Sequence, residues 1–482
     1  MPTSTTSVSR TTADSSVQPS LSTTRETLFA GAFAWRDALL FSTLFGVAVA
    51  NKHLMTMVLL GLAGWALSGP RQAFLAMSLV AVLRYANEGF ASFSPFASIL
   101  FWLIMMLGSA RIYLSLRRVP PSYIWLFAFS LVAIATSVAV SRAPDVSLMK
   151  IVSFFIVSSA VLVGSVSLSR ADIERLQRWF VSAAIAIAGL SLLTLASPGI
   201  AFRLNGTGFQ GIFAHPQHLG VMLVPFVAWG LMRAFNNRKV RVTPLQLLLI
   251  VAGVIIIVMT RARTAMLAAF VAVLLTTGVH LLRSQALSYR KHFGQIAGIG
   301  IFLGLVLVIG LSTGGGAALF EEIAFKGSGT ADLQEAFEVS RGAGVSQHLD
   351  NFADAPLTGH GFGVYRHGVA GGERGIVRLW GIPISAPAEK GFAFTAVLEE
   401  VGIVGGFLFY GLLLSMARSA ARSQRPEILA LLLGAVMINF GEAVIFSPGG
   451  IGLFMWLVMG VALAGAHYDA DDRKNRTLAN RT

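Results

Sequence analysis

Residues 245–282 read LQLLLIVAGVIIIVMTRARTAMLAAFVAVLLTTGVHLL, two long apolar runs separated by a short polar corner. The runs Leu245–Met259 and Ala265–Leu282 are close to the roughly 20 residues that an α-helix needs to cross the hydrocarbon core of a bilayer. Arg261 and Arg263 stand in the corner between them. The segment therefore predicts two consecutive membrane-spanning helices with cationic side chains at their junction.

The rest of the chain repeats this pattern. Of its 482 residues, 55% are hydrophobic and 12% are charged, whereas a soluble domain carries about 25% charged residues. Three short spans are predicted between Ala38 and Val82, where the apolar stretches are broken at 51–53 and 69–71. We predict an all-α polytopic integral membrane protein with about 12 to 14 transmembrane helices and one large loop. The remaining apolar runs are Ala97–Leu114, Ile124–Val140, Leu148–Leu168, Phe180–Leu195, Leu219–Leu231, Ile296–Leu311, Phe392–Met416, Ile428–Ile445 and Ile451–Ala466.

The basic residues predict the topology. They collect in short connections between the runs, around Arg238, Arg290, Arg422 and Arg473. Because cytoplasmic connections carry an excess of Lys and Arg, we expect these connections and both termini to be cytoplasmic. The net charge of +14 then reflects topology, and no nucleic-acid-binding motif accompanies it. Alternation of the spans places residues 197–217, 260–264 and 314–390 on the outer side.

The predicted organisation has five parts. Residues 1–36 are Ser/Thr-rich at their start and lack the apolar core of a signal peptide, which predicts a disordered cytoplasmic tail. Residues 37–313 form the first part of the transmembrane bundle, 314–391 the large outer loop, 392–466 the last helices and 467–482 a cytoplasmic tail. Within the outer loop, helices are expected at 331–339 and 345–353. With no cysteine in the chain, thiol chemistry and disulfides are excluded.

Arginines on the outer side run against the positive-inside rule. Such a residue costs on the order of 2.5–3.5 kcal/mol near the bilayer centre and less near its edge. A guanidinium group keeps its charge and forks onto phosphate oxygens, so a cluster of arginines suits a lipid-linked phosphate. The alternatives are snorkelling of single arginines and structural ion pairs with Glu88, Glu399, Glu400 or Glu442.

Three stretches, in this order, resemble the O-antigen ligase/polymerase superfamily of bacterial envelope glycan enzymes. GIFAHPQHLG (211–220) is similar to the family's His-Pro stretch, which ends in Leu-Gly as it enters a span. TRARTAML (260–267) resembles the family's Ser-Arg-Thr-Ala stretch, with Arg263 on its arginine and Ala262 where serine is common. SRGAGVSQHLDNFADAPLTGHGFGVY (340–365) resembles its loop pattern of an arginine, Asn-Pro-Leu and Gly-x-Gly-x-Gly. The resemblance covers residues 203–405.

This resemblance implies glycosyl transfer from an undecaprenyl-diphosphate-linked glycan to a sugar hydroxyl at the outer, periplasmic face of the bacterial inner membrane. It favours an O-antigen or exopolysaccharide polymerase that uses no cofactor or metal and has membrane lipid, a flippase and a chain-length regulator as partners. Arg203 and Arg263 would stabilise the diphosphate leaving group. The candidate bases for the acceptor hydroxyl are Glu389, His360 and His367. The expected substrate contacts are Arg261, Arg341, Arg366, His215, His218 and Glu400.

Two alternatives stay open. Ligases of the family, which join glycan to lipid A core, carry a histidine at the position that aligns with Gly391, where this chain reads EKGFAF (389–394). This difference weakens the ligase interpretation more than the polymerase interpretation. A transporter or flippase would have inverted repeats and helices broken near the bilayer midplane. The sequence shows no internal repeat.

Two polar motifs have structural interpretations beside the functional ones. In GFQGIFAHPQHLG (208–220), glycines permit a sharp turn and Pro216 suits the first turn of a helix. His215 and His218 are three residues apart, but a metal site needs a third ligand, so we expect hydrogen bonds that hold the span end in place. GHGFG (359–363) lacks the strand and helix that flank a phosphate-binding loop, which favours tight turns.

Overall fold

The computed structural model describes residues 34–90, 93–204, 206–236, 243–283, 342–366, 376–385, 390–423 and 425–479. Across these ranges the chain is an all-α polytopic membrane protein with one small β-hairpin. Eight of the described helices are long and apolar enough to cross a membrane. The predicted fold class is thereby confirmed. Four shorter apolar helices lie among the long ones: Lys52–Leu67, Pro70–Leu83, Pro244–Met259 and Pro426–Met437, the last of which is followed by a 3₁₀ turn.

The helices follow one another with short connections. The hairpin strands β1 (Val377–Leu379) and β2 (Ile382–Ser385) pair antiparallel. In chain order the helices are α1 (Trp35–Ala50), α2 (Lys52–Leu67), α3 (Pro70–Leu83), α4 (Pro95–Tyr113), α5 (Ser122–Ala139), α6 (Pro144–Ser167), α7 (Arg170–Leu193), α8 (Pro198–Ala201), α9 (Pro216–Asn236), α10 (Pro244–Met259), α11 (Arg263–Arg283), α12 (Ala343–Asp354), α13 (Ala393–Arg422), α14 (Pro426–Met437) and α15 (Ile451–Ala479).

Local sequence explains where many of these helices begin. Several start at a proline, which has no backbone N–H to leave unsatisfied and whose fixed φ suits the first turn. Ahead of α4, the Ser94 side chain accepts a hydrogen bond from the backbone N–H of Ala97. Ahead of α10, Thr243 and Gln246 form a reciprocal capping box. These caps satisfy N–H groups that would otherwise lack partners in a membrane.

One end of the bundle carries most of the irregular backbone among the described residues, and we call it the loop end. It comprises residues 84–90, 194–204, 206–216, 260–263, 342–366 and 438–450. Backbone hydrogen bonds join these segments: Asn87 N–H donates to Ile212 O over 2.7 Å, and Phe209 N–H donates to Met259 O over 2.9 Å. The Ser147 hydroxyl donates to Phe362 O over 2.6 Å. The loop end is therefore a connected layer over the helix termini.

The structure differs from the prediction in two helices. The apolar run Ile428–Ile445 is not one helix, because α14 ends at Met437 and two 3₁₀ turns follow. The Asn439 side chain donates to the carbonyls of Ala435 and Val436 and accepts from the backbone N–H of Ile445. An asparagine that bonds the backbone in this way competes with helical hydrogen bonds and ends the helix.

At the C-terminus, α15 continues to Ala479, past residue 466, where a tail was predicted to begin. The predicted loop helix 345–353 is present as α12. Several predicted parts lie outside the described residues. They are residues 1–33 of the N-terminal tail, the apolar run Ile296–Leu311, the helix predicted at 331–339 and most of the large loop 314–391.

Candidate functional site

The segment 200–215 at the loop end is held by two buried amide side chains. Asn87 Nδ2 donates to the carbonyls of Ile200 and Gly211 over 2.9 and 3.0 Å. Gln210 Oε1 accepts from the backbone N–H of Leu204 over 2.8 Å, and its Nε2 donates to Phe213 O over 3.1 Å. Because buried amides with satisfied donors and acceptors fix backbone geometry, the loop that carries Arg203 has a defined path.

Within this segment, Gly211 and Gly208 are needed for different reasons. Gly211 has φ +55° and lies so close to Ser191 that a Cβ would be 2.4 Å from that residue's Cβ. At Gly208 a Cβ would lie 3.0 Å from Thr260 O. The glycine turn and the start of α9 at Pro216 agree with the sequence interpretation of this motif.

The two histidines of the motif have separate structural positions. His215 Nδ1 accepts a hydrogen bond from the backbone N–H of Gln217 over 3.1 Å, which caps the first turn of α9. The ring of His218 meets the Tyr85 ring edge-on with centroids 4.5 Å apart, and the two histidine rings lie 5.5 Å apart. Within the described ranges, no group of three His, Cys, Asp or Glu side chains assembles to hold a metal ion.

Arg203, Arg261 and Arg263 all lie in the loop end. Arg203 is exposed, and a Cβ on Gly89 would lie 3.3 Å from its Nη1 atom. Arg261 and Arg263 are half-buried, and Arg263 begins α11. Arg261 has φ +53°, a left-handed conformation that is uncommon outside glycine. The bond from Phe209 to Met259 fastens the Arg203 loop to this corner.

The segment 438–447 connects this corner to the rest of the loop end. Gln217 Nε2 donates to Glu442 Oε1. A Cβ on Gly441 would lie 2.3 Å from Thr264 Oγ1, so the backbone of residue 441 touches the first turn of α11. The Phe440 ring stacks on Phe394 with centroids 4.3 Å apart. The arginine corner and the start of α13 are therefore neighbours.

A buried cluster of charged residues lies at the start of α13. Lys390 Nζ is 3.0 Å from Glu399 Oε1 and 3.6 Å from Glu400 Oε1. Both carboxylate side chains are almost fully buried, and so is the lysine. Asn351 Nδ2 donates to Glu399 Oε1 over 3.1 Å, and His348 Nε2 lies 3.7 Å from Glu399 Oε2. This Lys390–Glu399–Glu400 cluster joins α12 and Lys390, which precedes α13 by three positions, to that helix.

The loop 355–363 inserts into a break in α13. Gly402 has φ +67° in the middle of that helix. Around it, the backbone N–H groups of His360 and Gly361 donate to Glu399 O and Glu400 O over 3.0 and 2.9 Å, and Ile403 N–H donates to Pro356 O over 2.8 Å. The loop therefore supplies the hydrogen bonds that the broken helix loses.

The glycines of GHGFG serve this insertion. Gly359, Gly361 and Gly363 all have positive φ, and a Cβ on Gly359 would lie 2.4 Å from the Glu400 carbonyl carbon. Phe362 is fully buried against the rings of Phe129 and Phe154. The N–H groups of His360 and Gly361 donate to α13 carbonyls and so do not face a ligand. This supports the interpretation of GHGFG as tight turns and not as a phosphate-binding loop.

The remaining candidate residues have different surroundings. His360 is half-buried, and its Nε2 lies 2.9 Å from Asn351 O. Arg366 forms an ion pair with Asp354 on the surface. Glu400 lies inside the buried cluster, so its carboxylate faces protein groups and not a surface that a substrate can reach. Three further candidates, Arg341, His367 and Glu389, lie outside the described residues.

Sequence reasoning missed Lys390, His348 and Asn351. His348 Nδ1 also lies 2.9 Å from Thr395 Oγ1. Burial lowers the pKa of His348 below its usual 6.5 and Lys390 lowers it further, against the opposing effect of Glu399. The imidazole is therefore neutral at pH 7. No local pattern marks these residues, because their partners are about 10 to 50 positions away in the chain and the contacts are tertiary.

Gly391, the position that aligns with the ligase histidine, has φ +81°. A histidine at this φ would be strained, although less than a β-branched residue. No protein-family model matches the chain, and no curated protein matches it in sequence.

Proposed function

We propose that this chain transfers glycosyl groups from a polyprenyl-diphosphate-linked glycan to a sugar hydroxyl, as an O-antigen or exopolysaccharide polymerase of the O-antigen ligase/polymerase superfamily. The observation that carries this proposal is the hydrogen bond from Phe209 N–H to Met259 O, which joins the segment that bears Arg203 to the corner that bears Arg261 and Arg263. Arg261 and Arg263 stand between two apolar helices of a membrane protein, where the headgroup of a lipid substrate would be found.

The chemistry of the proposed reaction fits this corner. Cleavage of the bond between the anomeric carbon and the diphosphate leaves negative charge on the diphosphate oxygens. Fixed guanidinium groups stabilise that charge more in the transition state than in the ground state, which lowers the barrier. The amide network of Asn87 and Gln210 holds the Arg203 loop in place before substrate arrives, so little reorganisation is needed.

Of the three proposed bases, His360 lies within the described residues. With Nε2 only 2.9 Å from a carbonyl oxygen, that nitrogen carries the hydrogen and donates it. In the neutral imidazole the lone pair then lies on Nδ1, where it can accept a proton from an acceptor hydroxyl. His367 and Glu389 remain the alternative bases, and Glu400 acts through the buried cluster as a positioning residue.

The first test concerns the arginines. We expect Arg203→Ala and Arg263→Ala to abolish polymer formation at normal protein levels. Arg263→Lys should not restore it, since an ammonium group cannot reproduce the bidentate fork. The matched control is Arg283→Ala, which removes an exposed arginine from the opposite end of the same helix and should leave output unchanged. Near-normal polymer from Arg263→Lys would exclude direct diphosphate binding by this residue.

The second test separates polymerase from ligase. Deletion of a polymerase leaves single repeat units, whereas deletion of a ligase leaves long chains on the lipid carrier. We expect single units, and the positive φ of Gly391 supports this choice because it disfavours a side chain where ligases carry histidine. Long carrier-linked chains in the deletion strain would support the ligase alternative instead.

The third test concerns location and partners. We propose the bacterial inner membrane, with both termini cytoplasmic and the loop end in the periplasm, and a flippase and chain-length regulator in the same pathway. Because the chain has no cysteine, single cysteines at Thr207 and Asn475 can be labelled with a membrane-impermeant maleimide in intact cells. We expect labelling at 207 but not at 475, and the reverse pattern would show that the chain has the opposite orientation in the membrane.

A transporter is the rival from another class, and the break of α13 at Gly402 is the feature it predicts. The backbone groups around this break bond to residues 356–361, so the break is satisfied by the inserted loop and needs no transport path to explain it. Reconstituted protein that moves lipid-linked glycan across vesicles without extending it would favour transport.

A further inference from the structure

The β1–β2 hairpin presents an exposed tryptophan at its tip. Trp380 is 91% exposed, and the neighbouring Ile382 is 64% exposed. Leu379 pairs with Ile382, so the turn consists of Trp380 and Gly381 alone. Exposure of a large aromatic side chain to water is unfavourable, and this exposed side chain is held at a fixed point by the hairpin.

The backbone of this turn is unfavourable for tryptophan. Trp380 has φ +51° and Gly381 has φ +80°, as in the two-residue turns that prefer Asn-Gly or Asp-Gly. A bulky residue at positive φ is strained, and such strain persists where function requires the side chain. The turn alone would be more stable with asparagine at position 380, so the indole itself must account for the residue.

An ion pair joins the hairpin to the start of a membrane-crossing helix. Arg378 Nη1 is 2.6 Å from Asp145 Oδ2 and donates to Gly381 O over 3.1 Å. Asp145 lies in the first turn of α6, a membrane-crossing helix of 24 residues. At 1.5 Å per residue, that helix is about 36 Å long and exceeds the roughly 30 Å hydrocarbon core. Because its first turn also carries the charge of Asp145, which is costly in hydrocarbon, we expect this turn at the level of the lipid headgroups.

We propose that Trp380 and Ile382 form an interfacial anchor that inserts between the headgroups of the surrounding membrane lipid. Trp380 is two residues from Arg378, a distance of at most about 7 Å along an extended strand, and is thus within reach of the headgroup region. There the amphipathic indole is most favourable, because its ring is apolar and its N–H bonds water or phosphate. The anchor fixes the depth of the hairpin. This inference does not depend on the proposed function.

The test uses the natural absence of cysteine. Three variants of the full chain each carry one cysteine, at the position of Trp380, Leu131 or Asn475. Each variant is spin-labelled in liposomes, and the depth of its label is measured by power saturation with oxygen and a nickel chelate. Leu131 is an exposed residue near the middle of α5, and Asn475 is exposed near the end of α15; they serve as hydrocarbon and water references. A label at 380 should report an intermediate depth, and a value equal to that at 475 would overturn the proposal.

A second measurement retains the tryptophan. Lipids brominated near the headgroup quench indole fluorescence at short range, so Trp380→Phe should remove a quenched component from the emission of the chain's eight tryptophans. An unchanged quenched fraction in Trp380→Phe would show that the indole does not contact lipid. Loss of quenching at Trp380 on addition of soluble glycan would instead identify a sugar as its ligand, which also contradicts the anchor.

Discussion

Replacement of Lys390 by methionine tests the buried cluster most directly. The substitution keeps the length of the side chain but removes the cation that lies 3.0 Å from Glu399 and 3.6 Å from Glu400. Loss of one partner from a buried ion pair costs about 3–5 kcal/mol, because the remaining charge is buried and uncompensated. At 1.36 kcal/mol per tenfold change, this corresponds to a ~150- to ~5,000-fold change in the equilibrium for local opening.

Hydrogen exchange of two backbone amides measures that opening. The N–H groups of His360 and Gly361 donate to carbonyls of α13, so they exchange only when the inserted loop leaves the helix. We expect both amides to lose protection by this factor in Lys390→Met. The effect should shrink as the pH falls, since protonation of an orphaned carboxylate removes its charge.

Two controls separate electrostatics from packing. Lys52→Met removes an exposed lysine and should change protection by less than about 0.5 kcal/mol in free energy. Glu399→Gln added to Lys390→Met removes one orphaned charge and should restore much of the protection. Unchanged exchange at His360 and Gly361 in Lys390→Met would refute the conclusion that the cluster fastens the loop.

Three further outcomes are expected. Burial lowers the pKa of His348 from its usual 6.5, so below that pH the unfolded state binds a proton that the folded state does not. Stability should therefore fall as the pH drops below about 6.5 and stay flat above it, and His348→Gln should remove this component in thermal unfolding scans. Gly402→Ala places a Cβ 2.3 Å from Leu357 O at φ +67° and should greatly reduce the yield of folded protein. As its control, Gly189→Ala adds a Cβ within a helix that meets nothing within 4 Å, and it should stabilise the protein by about 0.5–1 kcal/mol. Asn439→Leu leaves buried backbone groups without partners and should destabilise the protein by about 1–3 kcal/mol in denaturant unfolding; an unchanged midpoint would show that water or other groups replace the amide.

The fold class followed from local composition. Apolar runs near the length of a bilayer predict helices whatever their neighbours are, because in lipid every backbone polar group must be satisfied within its own segment. Pro216 marked the start of α9, and Arg261 and Arg263 marked a corner between helices. These features depend on residues within one or two turns of each other.

Tertiary structure decided the rest. Nothing local indicates that Lys390 pairs with two glutamates, that α13 breaks at Gly402, or that Phe362 enters the aromatic core. Ser147 and Phe362 are 215 positions apart and yet hydrogen-bonded. Such contacts have no signature in a single sequence, because a buried charge or a broken helix is stable only where distant chain segments supply the missing partners.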